Sequence, residues 1–127
     1  MSSDQLLQVL KTQLLQFMDQ LIEILPTEQE FIVIRFFIKD QIPIIDIMKY
    51  IVAKLLPLEE YVVNKDERFF LEHQVLFEDL RNVDTEYKVS YFKKLWSDST
   101  DPENKEIIWN WFQCFIQIAK RYQALTN

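Results

Sequence analysis

The sequence predicts an all-α protein: a compact single-domain bundle of five or six helices around a central C-terminal helix, spanning residues 1–127. Three observations carry this. The chain contains no glycine, which removes phosphate-cradling loops, glycine helix caps and the usual hairpin turns, all of which need positive φ or close backbone approach. Helices need none of these. The stretch Asp101 to Leu125, DPENKEIIWNWFQCFIQIAKRYQAL, confines Glu106, Asn110, Gln113, Gln117, Lys120 and Arg121 to an arc of roughly 100°, leaving apolar side chains around the rest. Such a helix is contacted from several sides. Finally, 127 residues is the common size of one domain, and ten Phe, five Tyr and three Trp supply more apolar area than a core of that size usually holds. Part of that area is expected at an interface.

Taken in order, Ser3 is placed to N-cap a first helix running to Leu25, where Pro26 stops it. Leu6, Leu7, Leu10, Leu14, Leu15, Phe17, Met18, Leu21 and Ile22 gather on one side, so this helix packs through one face. Thr27 and Glu30 have capping-box spacing ahead of FIVIRFFIKD, Phe31 to Asp40. That run of β-branched and aromatic residues also suits a buried strand; the capping box and the lack of a partner strand favour helix. Pro43 fits the first turn of a third, mostly buried helix reaching Leu56 and closed by Pro57. Leu58 to Val63 reads as a short helical turn ended at Asn64 in the left-handed conformation. Asp66 caps a turn carrying Phe69, Phe70 and Leu71. Residues 72–83 fit helix or packed loop. Asp84 caps a helix from Thr85 to Trp96, Ser97 to Thr100 is a polar loop, and Thr100 with Glu103 forms a second capping box as Pro102 enters the central helix.

Net charge is −6, unevenly placed. Residues 1–58 hold seven acids and five bases, residues 59–86 nine acids and three bases, and residues 87–127 four acids and six bases. An acidic chain is repelled by phosphate backbones, so nucleic acid is disfavoured as a partner. The single Cys114 allows no internal disulfide, and polar residues interrupt the Leu-rich start, so no signal peptide is expected. No window approaches 18 uncharged apolar residues, so no transmembrane segment is expected. These features predict an intracellular protein.

No constellation carries chemistry. His73, the single histidine, has only Glu72, Glu78 and Asp79 near it in sequence, and one His with one Cys cannot make a zinc site. The acidic run lacks the spacing and glycine of a calcium loop. Trp96, Trp109 and Trp111 have no interleaved basic stripe for base stacking. Catalytic, cofactor-binding and metal residues are therefore expected to be none, and cofactors none. What remains is protein contact. Glu67, Glu78 and Asp79 form an acidic face suited to a basic partner. Trp109, at the edge of the apolar arc, is the tryptophan expected to be exposed. With Ile116, and with Leu14 on the first helix, it marks the expected faces of a homodimer.

Three segments, NKDERFFLE (Asn64 to Glu72), YFKKLW (Tyr91 to Trp96) and NKEIIWNWFQ (Asn104 to Gln113), resemble a pattern in small uncharacterised helical proteins of nucleocytoplasmic large DNA viruses. The resemblance covers about half the chain and departs where those proteins have Lys-Tyr-Leu-Gln and this chain has Asn110, Trp111, Phe112 and Gln113. It implies a viral origin and a helical fold, with no catalytic residue to carry over. Function is then expected to be non-enzymatic, through protein–protein contacts, as a virion component or an adaptor in the infected cell. The alternatives are a helical regulator whose groove takes a partner's amphipathic helix, as in cell-death regulators, and a nucleic-acid-associated factor.

Overall fold

Helix α1, Ser3–Ile24, begins at a capping box formed by Ser2: its hydroxyl accepts from the Gln5 amide at 3.2 Å and the Gln5 side chain accepts from the Ser2 amide at 2.8 Å. The cap thus lies one residue before the predicted Ser3, because Ser2 has the Gln partner three residues on that completes the box. A computed structural model describes residues 1–72 and 101–126, and among these every regular element is helical: α2, Glu30–Phe36; α3, Ile44–Tyr50; α4, Glu59–Val63; α5, Glu67–Glu72; and α6, Pro102–Thr126. FIVIRFFIKD is therefore helix. The region read as helix Thr85 to Trp96, and the segment 73–100 as a whole, lie outside the described residues.

Two prolines shape the middle of the chain. Past α2 the helix widens into a π-helical turn, Phe37–Gln41, closed by the Ile42 amide on the Phe37 carbonyl at 2.8 Å. Past α3 the same occurs over Ile51–Leu55, closed by the Leu56 amide on the Ile51 carbonyl. Each wide turn immediately precedes an X–Pro pair, Ile42-Pro43 and Leu56-Pro57. A proline cannot donate to the carbonyl four residues back and its ring collides with it, and a wider turn draws that carbonyl aside. The outcomes differ. Ile42 adopts extended backbone, φ −105° and ψ 122°, and Pro43 caps α3 from outside rather than entering its first turn. Leu56 stays helical, and the chain passes Pro57 through a 3₁₀ turn, Leu56–Leu58, straight into α4, so Pro57 bends the path where a stop was predicted.

The ends of α4, α5 and α6 show how helices are closed and opened without glycine. Asn64 remains right-handed, and Lys65 takes the left-handed conformation at φ 53°. The Asp66 amide donates to the Tyr61 carbonyl at 2.9 Å and the Lys65 amide to Val62 at 3.1 Å, the paired bonds of a Schellman motif. Asp66 then caps α5 through the Phe69 amide at 3.1 Å, as predicted. Asp101 caps α6, accepting from the Asn104 amide at 3.0 Å. Thr100, predicted to pair with Glu103, lies outside the described residues; a carboxylate such as that of Asp101 is a strong acceptor at a helix N-terminus. The Thr27–Glu30 box does not form: Gln29, in right-handed backbone, precedes α2 without a side-chain cap.

The buried residues form one cluster. α1 contributes Leu6, Leu10, Leu14, Phe17, Met18 and Leu21, and α6 contributes Ile108, Trp109, Phe112, Phe115, Ile116, Ile118 and Ala119. Phe31, Met48, Ile51, Leu55, Val62 and Phe70 close the remaining sides. Phe17 is seated between Trp111, Phe112 and Phe115, with centroids 5.9, 6.1 and 5.4 Å away. Phe70 continues the aromatic chain to Trp109 and Phe112 at 5.6 and 6.1 Å. Phe69 carries it outward to Tyr61, stacked at 3.8 Å. The C-terminal helix is central as predicted, with α1 its main neighbour and the stretch from Ile51 to Val63 on its other side.

Three outcomes are expected. Far-ultraviolet circular dichroism reports more than half helix. Phe17→Ala lowers unfolding free energy by about 3–5 kcal/mol in urea titration, the cost of an aromatic-sized core cavity. Lys65→Gly raises it by about 1 kcal/mol, because glycine carries no side-chain penalty in the left-handed position and the exposed ion pair it forfeits is worth little.

Candidate functional site

The acidic segment after Leu58 is partly neutralised within the chain. Glu59 pairs with Lys120, Lys65 with Glu106, and Glu67 with Lys105 at 3.2 Å, so three ion pairs fasten α4, α5 and the turn between them to one side of α6. Glu67, expected to meet a basic partner, therefore meets a base of its own chain, and Asp66 is engaged as a cap. Glu78, Asp79 and His73 lie outside the described residues.

The apolar contact residues expected from the sequence are core residues. Leu14, Trp109 and Ile116 expose only 8%, 2% and 1% of their surface. Trp109, expected at the surface, is covered because Phe70 and Phe112 pack against its ring at 5.6 and 6.3 Å. The helical wheel placed it at the boundary between apolar and polar arcs, and α5 packs over that boundary. The outward polar stripe of Glu106, Asn110, Gln117, Lys120 and Arg121 is exposed as the sequence indicated.

Among the described residues, exposed apolar surface is concentrated elsewhere, on α2. Phe31 is fully buried, Ile34 and Ile38 pack against the core, and Arg35 is bonded to Asp19 of α1 at 2.7 Å. With that side facing α1, the residues at i, i+1, i+4 and i+5 on the opposite side are turned outward. Ile32, Val33, Phe36 and Phe37 expose 55%, 45%, 52% and 45% of their surface, and the two phenyl rings meet edge-on at 5.9 Å. Ile42 and Ile45, further along the chain, are exposed at 41% and 39%. Half of four large side chains amounts to on the order of 400 Å², within the range where a monomer's largest patch is often functional. The sequence contained a signal for this ridge: FIVIRFFI is apolar all round the helix but for Arg35, so a helix packed on one side only must present apolar side chains to solvent.

The other surfaces offer less. A cleft of about 270 Å³ between α4 and α6 is lined by Glu59, Val63, Asn110, Gln113, Cys114, Ile116 and Gln117. Burial pushes the Cys114 thiol above its ordinary value, which lowers the thiolate fraction at any given pH and with it nucleophilicity. Among the described residues no three His, Cys, Asp or Glu side chains are grouped to hold a metal ion, and no helix is long and apolar enough to cross a membrane. Alkylation of Cys114 in the folded chain at pH 8 is therefore expected to run severalfold slower than in the urea-unfolded chain, measured by mass spectrometry. The apolar ridge on α2 stands as the candidate site without outside precedent, since no protein family, curated protein or solved structure compared with the chain matches it.

Proposed function

We propose that this protein is a non-enzymatic helical module that works through protein contacts, and that the exposed face of α2 is where it makes them. The observation that carries the reading is the placement of Ile32, Val33, Phe36 and Phe37 on the outside of a helix whose inner side is anchored in the core. Covering roughly 400 Å² of apolar surface supplies about 10 kcal/mol gross, comparable with the rigid-body and side-chain ordering costs of association. The face therefore suits a partner of matching apolar shape held in a modest, reversible complex. The resemblance of Asn64 to Glu72, Tyr91 to Trp96 and Asn104 to Gln113 to proteins of large DNA viruses gives this reading a setting, as a virion component or an adaptor in the infected cell. No particular observation favours a helix-binding groove or a nucleic-acid role.

The test is a photo-crosslinking amino acid at Phe36 of the full chain, followed by capture and mass spectrometry, with Val33→Glu as the competitor variant. Specific adducts are expected at Phe36 that fall at least tenfold with Val33→Glu, while circular dichroism and melting temperature stay unchanged. Adducts indifferent to Val33→Glu would remove α2 as the contact face. By contrast Trp109→Glu is expected to abolish cooperative unfolding, because it buries a charge in the core.

A further inference from the structure

We infer that the cleft between α4 and α6 binds an uncharged carboxamide presented by a polypeptide, either an Asn or Gln side chain or a peptide group. It shares no residue with the α2 face. On α6, Asn110, Gln113, Cys114 and Gln117 stand at i, i+3, i+4 and i+7, so three side-chain amides and a thiol form one row along the helix. Across from them α4 contributes Glu59 and Val63, one turn apart, to the same space of about 270 Å³.

The amides decide what the cleft recognises. Among the described residues none of the three has a hydrogen-bond partner, whereas the half-buried Gln20 of α1 is taken up by the Trp111 indole. Asn110 and Gln117 are exposed, but Gln113 is half-buried in a cleft that it shares with the buried Ile116. Each of these amides sets N–H donors beside a carbonyl acceptor, and the group that answers both at once is another amide.

Charge and size narrow the ligand. Among the described lining residues Glu59 alone carries a formal charge, and Lys120 pairs with it, so an anionic or cationic ligand is desolvated there without a free counter-charge. A neutral ligand is favoured. The volume equals that of about nine liquid waters and lies below that of drug-sized sites, which suits one side chain or one peptide unit. Val63, Cys114 and Ile116 supply apolar contact for its methylenes. Nucleobases carry similar donor and acceptor edges, but a net charge of −6 repels the phosphates that would bring them. A ligand of this size binds with a dissociation constant on the order of 1 mM, so the cleft reads one residue within a larger protein contact.

Titration of the full chain with N-acetylglutamine methylamide, followed in proton–nitrogen correlation spectra, tests this. Saturable shifts are expected in the side-chain amide signals of Asn110, Gln113 and Gln117, with alkylation of Cys114 slowed severalfold at saturation. The glutamate and norleucine counterparts of the probe, similar in length, bind at least fivefold more weakly. Gln113→Met weakens the glutamine probe to the same degree, with circular dichroism and melting temperature unchanged. The lack of saturable shifts at tens of millimolar probe overturns the site. Equal binding of the norleucine probe, or indifference to Gln113→Met, overturns amide recognition, and equal binding of the glutamate probe overturns selection for a neutral ligand. Uracil binding more tightly than the glutamine probe overturns the polypeptide source in favour of a nucleobase. Each of these outcomes leaves the Phe36 crosslinks and their dependence on Val33 untouched, so the α2 face stands or falls separately.

Discussion

The packing of α1 against α6 is the constraint on which the rest of the structure depends. With no glycine in the chain and few alanines, these two long helices cannot approach backbone to backbone, so their separation is set by the side chains between them. The space is filled by rings: Phe17 enters among Trp111, Phe112 and Phe115, and Trp111 and Phe115 stack on one another at 5.9 Å. Edge-to-face and tilted ring pairs hold particular geometries, which Leu-on-Leu packing does less sharply. The indole N–H of Trp111 finds its acceptor in the Gln20 side chain, so the half-buried ring is satisfied at both its apolar body and its polar edge. The other described elements are placed relative to this pair: α2 and α3 against α1, the Ile51 to Val63 stretch and α5 against α6.

The absence of glycine also governs how elements end. A glycine-bearing chain would close α4 with a residue free to take positive φ; here Lys65 does so and accepts the steric cost, while its ammonium reaches Glu106 of α6. The helix stop and its fastening to the core are thus one residue's work. Where no residue is available for that role, proline and a widened turn do the job, and the two π-helical turns stand at matching distances before Pro43 and Pro57. One proline turns the chain out of the helix and the other is passed, because Ile42 yields to the extended region that an X–Pro pair favours whereas Leu56, packed against the core, is held helical.

How much of this was legible in the sequence depended on the range of the interaction responsible. Periodicity identified α1 and α6 and most of their buried residues, since a side chain's position on a helix follows from spacing alone. The start of α1 is displaced by a residue where two capping residues, Ser2 and Ser3, adjoin. There the choice rests on small differences in hydrogen bonding that a pattern does not rank. Exposure was harder still. Trp109 sat at the polar boundary of its wheel and is buried because α5, a separate short element, folds over it. FIVIRFFI suits a buried strand or a helix by its composition, and how much of it is buried is decided by how many neighbours reach α2, a tertiary property no local window contains.

That mismatch is the reason for treating α2 as functional rather than incidental. The inner side chains Phe31, Ile34 and Ile38 with the Arg35–Asp19 pair suffice to dock the helix on α1. About half of the surface of Ile32, Val33, Phe36 and Phe37 lies outside that docking, and polar residues in their place would leave the isolated chain more soluble. Acidic and amide side chains are abundant on the outer faces of α1 and α6, so the chain uses polar residues freely where a face meets only water. The outward face of α2 departs from that usage at four positions at once, with an aromatic pair at its centre, and the proposed contact face rests on that departure.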